Sequence, residues 1–209
     1  MGEEKKRLPV GLENFEQIIN DNYYYVDKTG LISELIRNGG MVNLFTRPRR
    51  FGKTLNMSML EHFFSIERDQ SIYDGLEISK DTKLCEAYMG KYPVISISLK
   101  GINAAAYEDA FDFAVQIMQR TAEEFQFLSD SEYLSEHDKS VYRELLDSNM
   151  SETVFCGGLK ILSKLLEKHY RLKGFLLIDE YDVPLAKAFE NGYYEQMIFQ
   201  DYVNVFPEN

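Results

Sequence analysis

Met41-Val-Asn-Leu-Phe45, running into Thr46-Arg-Pro-Arg-Arg-Phe-Gly-Lys-Thr54 and on to Leu55, Met59 and Phe63, is the stretch on which the fold turns. Its first five residues are short and mostly apolar, which predicts a strand. Leu55, Met59 and Phe63 fall on one helical face, so the order is strand, loop, helix. Upstream, Leu31, Ile32, Leu35 and Ile36 keep helical spacing, and Gly39-Gly40 stops that helix. Downstream, Ile95, Ile97 and Leu99 alternate with Ser96 and Ser98, which predicts a strand over Tyr92 to Leu99, wetted on one face as at a sheet edge and ended by Gly101. Phe111, Ala114, Met118, Ala122, Phe125 and Leu128 predict an amphipathic helix from about Tyr107 to Leu128. A second spans about Leu159 to Tyr170. Ser129 to Ser140 reads as a polar surface excursion, with a short helix around Lys139 to Leu146. After Gly174, Phe175-Leu-Leu-Ile178 is unbroken in its apolarity and ends in Asp179-Glu180, the pattern of a central strand covered on both faces. Three strands separated by helices predict the α/β class, with a parallel sheet flanked by helices.

The chain has 209 residues, enough for one domain with a sizeable core. Hydrophobic residues make up 44% and charged residues 27%, which excludes wholesale disorder, collagen and a disulfide mini-protein. The net charge of -11 repels phosphate backbones, so direct nucleic-acid binding is disfavoured. Cys85 and Cys156 show no CxxC spacing and have no histidine cluster beside them, so neither a zinc site nor a disulfide framework is expected. Met1-Gly2 leads into no apolar leader, Lys6 stands where a myristoylation motif wants Ser or Thr, and the apolar runs fall far short of a membrane helix. These features read as a soluble, cytoplasmic chain.

A phosphate-binding loop of the form GxxxxGK[ST] sits between a strand and a helix. There, backbone N-H groups and the helix N-terminus wrap an oxyanion while the Lys neutralises it. Gly52-Lys53-Thr54 matches its second half, whereas Arg47 and Pro48 stand where the first glycine would begin the turn. The acid pair Asp179-Glu180 fits the complementary half, at the carboxyl end of a strand where open α/β sheets bind ligands. A strand that merely ends in a polar turn is the plainer reading, but the two halves together favour a nucleotide site. Arg47, Arg49 and Arg50 form a cationic cluster, either a solvated face or a contact to phosphate or to another subunit's nucleotide. His62, His137 and His169 are unclustered and read as structural.

Leu8-Pro-Val-Gly11 to Phe15, Tyr23-Tyr-Tyr-Val-Asp-Lys-Thr29, Arg47-Pro-Arg-Arg-Phe-Gly-Lys-Thr54, Tyr92-Pro-Val94 and Leu177-Ile-Asp-Glu-Tyr-Asp182 together resemble the AAA-ATPase-like family of prokaryotic proteins. The resemblance runs from about residue 8 to about residue 196. Members usually carry a nuclease domain of the PD-(D/E)XK type behind the ATPase, and Arg at the position of Arg47 is their norm. The resemblance implies a P-loop ATPase domain over 1–209, with residues 1–40 as helical support and 41–209 as the nucleotide-binding core. It also implies ATP and Mg²⁺ as ligands. Arg49, Arg50, Phe51, Gly52, Lys53, Thr54 and Leu55 would contact the nucleotide, with Thr54 and Asp179 as metal ligands. Lys53 would neutralise the β- and γ-phosphates, and Glu180 would act as general base or orient water. The resemblance makes Asp27 and Lys28 parts of the nucleotide pocket or of its N-terminal support, against the plainer reading of a helix-start pair on the surface, and Tyr23, Tyr24 and Tyr25 either stack on a base or form ordinary core and rim. Strands four and five, the sensor residue and the nuclease domain are expected to be missing, leaving slow hydrolysis coupled to a protein partner, to self-association or to the absent domain. The alternative is an inactive nucleotide-binding or interaction module. A nuclease in its own right is disfavoured, since no PD-(D/E)XK arrangement is visible.

Overall fold

The computed structural model describes residues 6–46, 51–66 and 68–197. The chain divides into two compact units, Met1–Val94 and Ile95–Asn209, each taken by itself below.

In the first unit, α1 (Phe15–Asn20) begins where the Asn14 side chain accepts the Gln17 N-H at 2.8 Å, satisfying one of the N-terminal donors a helix leaves open. α2 (Gly30–Asn38) ends at Gly39, as its spacing predicts. α3 (Lys53–Phe64) is followed by short 3₁₀ turns at Gln70–Tyr73 and Glu77–Lys80 and by α4 (Thr82–Tyr88). α1 packs on α3. The Phe15 N-H donates to Ser58 Oγ at 3.0 Å, and the Phe15 ring lies 5.2 Å from Tyr73 and 5.3 Å from Tyr25. Tyr73 is buried with its hydroxyl on the Met59 carbonyl at 2.7 Å, so the aromatic cluster has no unsatisfied phenol at its centre. Met59, Leu60, Phe63 and Phe64 supply the buried face of α3, and Leu55 is only half-buried.

The strand expected at Met41–Phe45 does not form. Residues 41–46 make a bend and an irregular segment, with the Asn43 side chain donating back to the Gly40 carbonyl, and Met41, Val42 and Leu44 are 94%, 72% and 68% exposed. A strand exists only where a neighbour takes up its N-H and C=O groups, and among the described residues none runs alongside this one. The motif is therefore bend, loop, helix. Parallel pairing in this unit occurs instead between Ser65 and Tyr92, where the Ile66 N-H donates to the Tyr92 carbonyl.

The second unit contains most of β1 (Val94–Ser98), then α5 (Tyr107–Glu123), α6 (Glu136–Leu145), α7 (Glu152–Tyr170), β2 (Phe175–Asp179), α8 (Val183–Asn191) and α9 (Tyr194–Met197). β1 and β2 pair in parallel as a two-stranded sheet, so the α/β class holds but helices dominate. β1 shows the expected alternation, with Ile95 and Ile97 buried and Ser98 exposed. β2 departs from expectation: Leu177 and Asp179 are buried, but Leu176 is 45% exposed, so one face is covered rather than two. An unbroken apolar run locates a strand without saying how many layers cover it.

The helix expected from Tyr107 to Leu128 ends at Glu123. Phe125 and Leu128 still reach the core through a 3₁₀ turn, Gln126–Asp130. α6 starts three residues before its predicted position because Ser135 and Asp138 form a reciprocal capping box. α7 starts seven residues early, capped by Ser151, and carries Gly157-Gly158 inside it. A side-chain carbon at Gly158 would stand 2.9 Å from Met118 Sδ, so glycine is what lets α7 approach α5 this closely.

Candidate functional site

In the first unit the candidate residues gather at the start of α3. Gly52 occupies the left-handed region (φ 75°, ψ 28°), a conformation glycine adopts without the cost a Cβ imposes. It turns the chain so that Lys53 and Thr54 open the helix, and the Asn56 N-H closes the first helical bond on the Gly52 carbonyl at 3.0 Å. Among the described residues no side chain caps this helix. Lys53, Thr54 and Leu55 are half-buried, and Phe51 is 58% exposed. Arg47, Arg49 and Arg50 lie outside the described residues. An uncapped helix N-terminus presents N-H donors and a partial positive charge of about half an electron, which suits an oxyanion.

Against this terminus stands the segment Tyr25 to Thr29. Asp27 Oδ1 accepts the Thr29 N-H at 2.8 Å and the Thr29 hydroxyl at 2.7 Å, and its Oδ2 accepts the Glu77 N-H at 2.7 Å. Thr29 Oγ1 in turn accepts the Ile78 N-H at 3.1 Å. Partial burial pushes the Asp27 carboxyl up, but these hydrogen bonds outweigh it and hold the group below its usual range. Asp27 thus clamps the start of α2 to the backbone at Glu77. Tyr25 is likewise tied in: its hydroxyl accepts the Lys28 N-H at 3.3 Å, its ring meets Phe15 edge-on, and burial pushes its phenol up to about 12. Lys28 itself is exposed, with its Nζ 3.7 Å from the point where a Gly52 side chain would begin.

In the second unit the acid pair stands at the end of β2. Asp179 is buried; its Oδ1 accepts the Glu180 N-H at 2.9 Å, and its Oδ2 is buried without a hydrogen-bond partner. Glu180 adopts φ +53°, a left-handed conformation that costs a residue with a Cβ roughly 1 to 2 kcal/mol and concentrates at functional sites. Its carbonyl accepts the Val183 N-H at 3.1 Å, leading into α8. One tethered and one unsatisfied oxygen on a buried carboxylate fit a cation or a cation-bound water, which would repay its desolvation.

The signals for Gly52, Lys53, Thr54, Asp179 and Glu180 were local in sequence. The clamp from Asp27 to Glu77 and the approach of Lys28 to Gly52 were not, although Asp27-x-Thr29 carries the pattern of a side chain that bonds two residues on. Among the described residues, Cys85 and Cys156 form no disulfide and no group of three or more His, Cys, Asp or Glu is placed to hold a metal.

A glycine-led helix start bearing Lys and Thr, with no side-chain cap among the described residues, has the donors that suit an oxyanion. A family described as predicted AAA-ATPase matches residues 9–207, and the chain belongs to this AAA-ATPase-like family. Membership points to nucleotide binding. The chain is also 29% identical over 182 residues to the "Uncharacterized protein in vnfD 5'region" of Azotobacter chroococcum mcd 1, covering 87% of this chain and 30% of that protein. The chain thus spans about a third of the length of this relative. No solved structure matches. No helix among the described residues is long and apolar enough to cross a membrane.

Proposed function

We propose that the chain binds ATP with Mg²⁺ and hydrolyses it slowly, coupling turnover to a protein partner or to a further domain of a longer protein. The observation that carries this reading is the start of α3, where Gly52 in the left-handed region delivers Lys53 and Thr54 to an uncapped first turn. Lys53 supplies the cation for the phosphates, and the α3 N-H groups hold their oxygens. Arg49, Arg50, Phe51 and Leu55 complete the nucleotide contacts in this proposal. Thr54 and Asp179 would hold Mg²⁺, whose charge offsets that of the phosphates when it is bound. Glu180, held in its strained turn, takes the proton from the attacking water or orients that water.

Thermal shift tests the binding. Mg-ATP at about 100 times its dissociation constant should stabilise the folded chain by ~2.7 kcal/mol, and Lys53→Ala should abolish the shift. No shift in the parent refutes the proposal. A second reading, an inactive nucleotide-binding module, draws on the unpaired segment at 41–46, which leaves the phosphate loop without a strand to anchor it. Phosphate release separates the two. Slow turnover that falls about a hundredfold or more in Glu180→Gln supports hydrolysis, and no release above background in the parent supports the inactive module.

A further inference from the structure

We propose that Lys28 is a second phosphate-binding cation at the start of α3, taking a nucleoside triphosphate from the side opposite the helix backbone; this rests on the reading of α3 as a phosphate cradle. The residues on either side of Lys28 are fixed. Asp27 and Thr29 are bonded to each other and to the backbone of Glu77 and Ile78, Thr29 is fully buried, and the Lys28 N-H is held by the Tyr25 hydroxyl. Lys28 is exposed between them, and its ammonium stands beside Gly52, 3.7 Å from where a side-chain carbon there would be.

That placement is electrostatically unfavourable in the absence of an anion. Cations are stabilised at helix C-termini and destabilised at N-termini. Here the Lys28 ammonium stands beside Gly52 at the positive end of a helix whose first residue is itself a lysine, Lys53, in a chain whose net charge is -11. Among the described residues no carboxylate forms an ion pair with either of them. Acidic residues outnumber basic ones in this chain, 34 to 23, yet among the described residues none pairs with these two lysines. A polyphosphate supplies the missing negative charge, and two cations on different segments can grip it from two directions. Glycine at position 52 is then required twice over, by its φ and because a side chain would fill the space between the ammonium and the ligand.

Calorimetric titration with Mg-ATP and, separately, with inorganic tripolyphosphate tests this. Lys28→Ala should weaken both ligands alike, by roughly ten- to a hundredfold, the worth of one hydrogen bond to a charged group. Lys28→Gln, which keeps most of the aliphatic stem, should lose as much as Lys28→Ala, and Lys28→Arg should stay close to the parent. Without ligand neither neutral variant should melt below the parent, because a repulsion has been removed. Lys83→Ala, an exposed cation on α4, controls for net charge and should bind like the parent. Unchanged affinity in Lys28→Ala and Lys28→Gln overturns the proposal while leaving the nucleotide reading intact. Weakened ATP with unchanged tripolyphosphate also overturns it, since Lys28 would then meet the base or ribose. If the parent binds neither ligand, the nucleotide reading fails and this proposal fails with it.

Discussion

Glu180 offers a measurement that separates backbone strain from side-chain chemistry. At φ +53° a residue with a Cβ carries about 1 to 2 kcal/mol of steric cost, from which glycine is exempt. Glycine gives back part of this advantage, because its unfolded state is more disordered by about 0.5 to 1 kcal/mol relative to alanine. The difference leaves Glu180→Gly more stable than Glu180→Ala by roughly 0.5 to 1 kcal/mol, and for a chain of this size that is a rise of about 1 to 4 °C in Tm. Comparing the two variants with each other removes the contribution of the lost carboxylate, since both lack it. Urea titration with matched m-values is the assay, and both variants should lose phosphate release to the same extent. Alanine equal to or more stable than glycine would show that position 180 is unstrained and would withdraw the argument that its geometry is held for a purpose.

His62 should make the chain acid-sensitive: it is buried, neither ring nitrogen is hydrogen-bonded among the described residues, and burial holds its pKa below the ordinary value while Glu16, 3.9 Å from Nε2, works against this. With the folded pKa depressed, the unfolded chain takes up the proton first, so stability is full above about pH 6.5 and declines as pH falls through that value. His62→Phe, which fits the aromatic surroundings of Phe15 and Tyr73, should flatten the change in urea midpoint between about pH 8 and about pH 5.5; an undiminished pH dependence rejects the assignment. Gly158→Ala should cost ~1 kcal/mol, because overpacking against Met118 Sδ and Cγ exceeds the gain in helix propensity, and an increase in urea midpoint would contradict it.

The fold was readable where neighbours in sequence are neighbours in space. α2, α3 and β1 follow from apolar spacing, because each buries one face and the spacing records which. The strand assigned to Met41–Phe45 failed for the converse reason: apolar residues state a wish to be covered, but a strand needs a partner that local sequence does not reveal. α7 was read too short, from Leu159 rather than Glu152; its first turns include Gly157-Gly158, whose place inside a helix makes sense only once Met118 is known to lie against Gly158. At the candidate site, Lys53 and Asp179 announced themselves through their immediate surroundings. The Asp27 clamp joins residues 50 apart, and nothing near Asp27 names Glu77 as its partner.

That clamp also has a bearing on how the chain would acquire the phosphate loop proposed for it. Asp27 and Glu77 close a loop of 50 residues, and residues 47–54 lie inside it. Closing a flexible loop of that size costs about 3 to 4 kcal/mol of chain entropy, which the contacts at its ends must recover before anything between them is held in place. α3 can form early from local bonds, but the meeting of Lys28 with Gly52 must wait for closure. On the proposed reading of α3, competence to grip an anion is therefore among the last properties this unit gains as it folds, and among the first it loses when it opens.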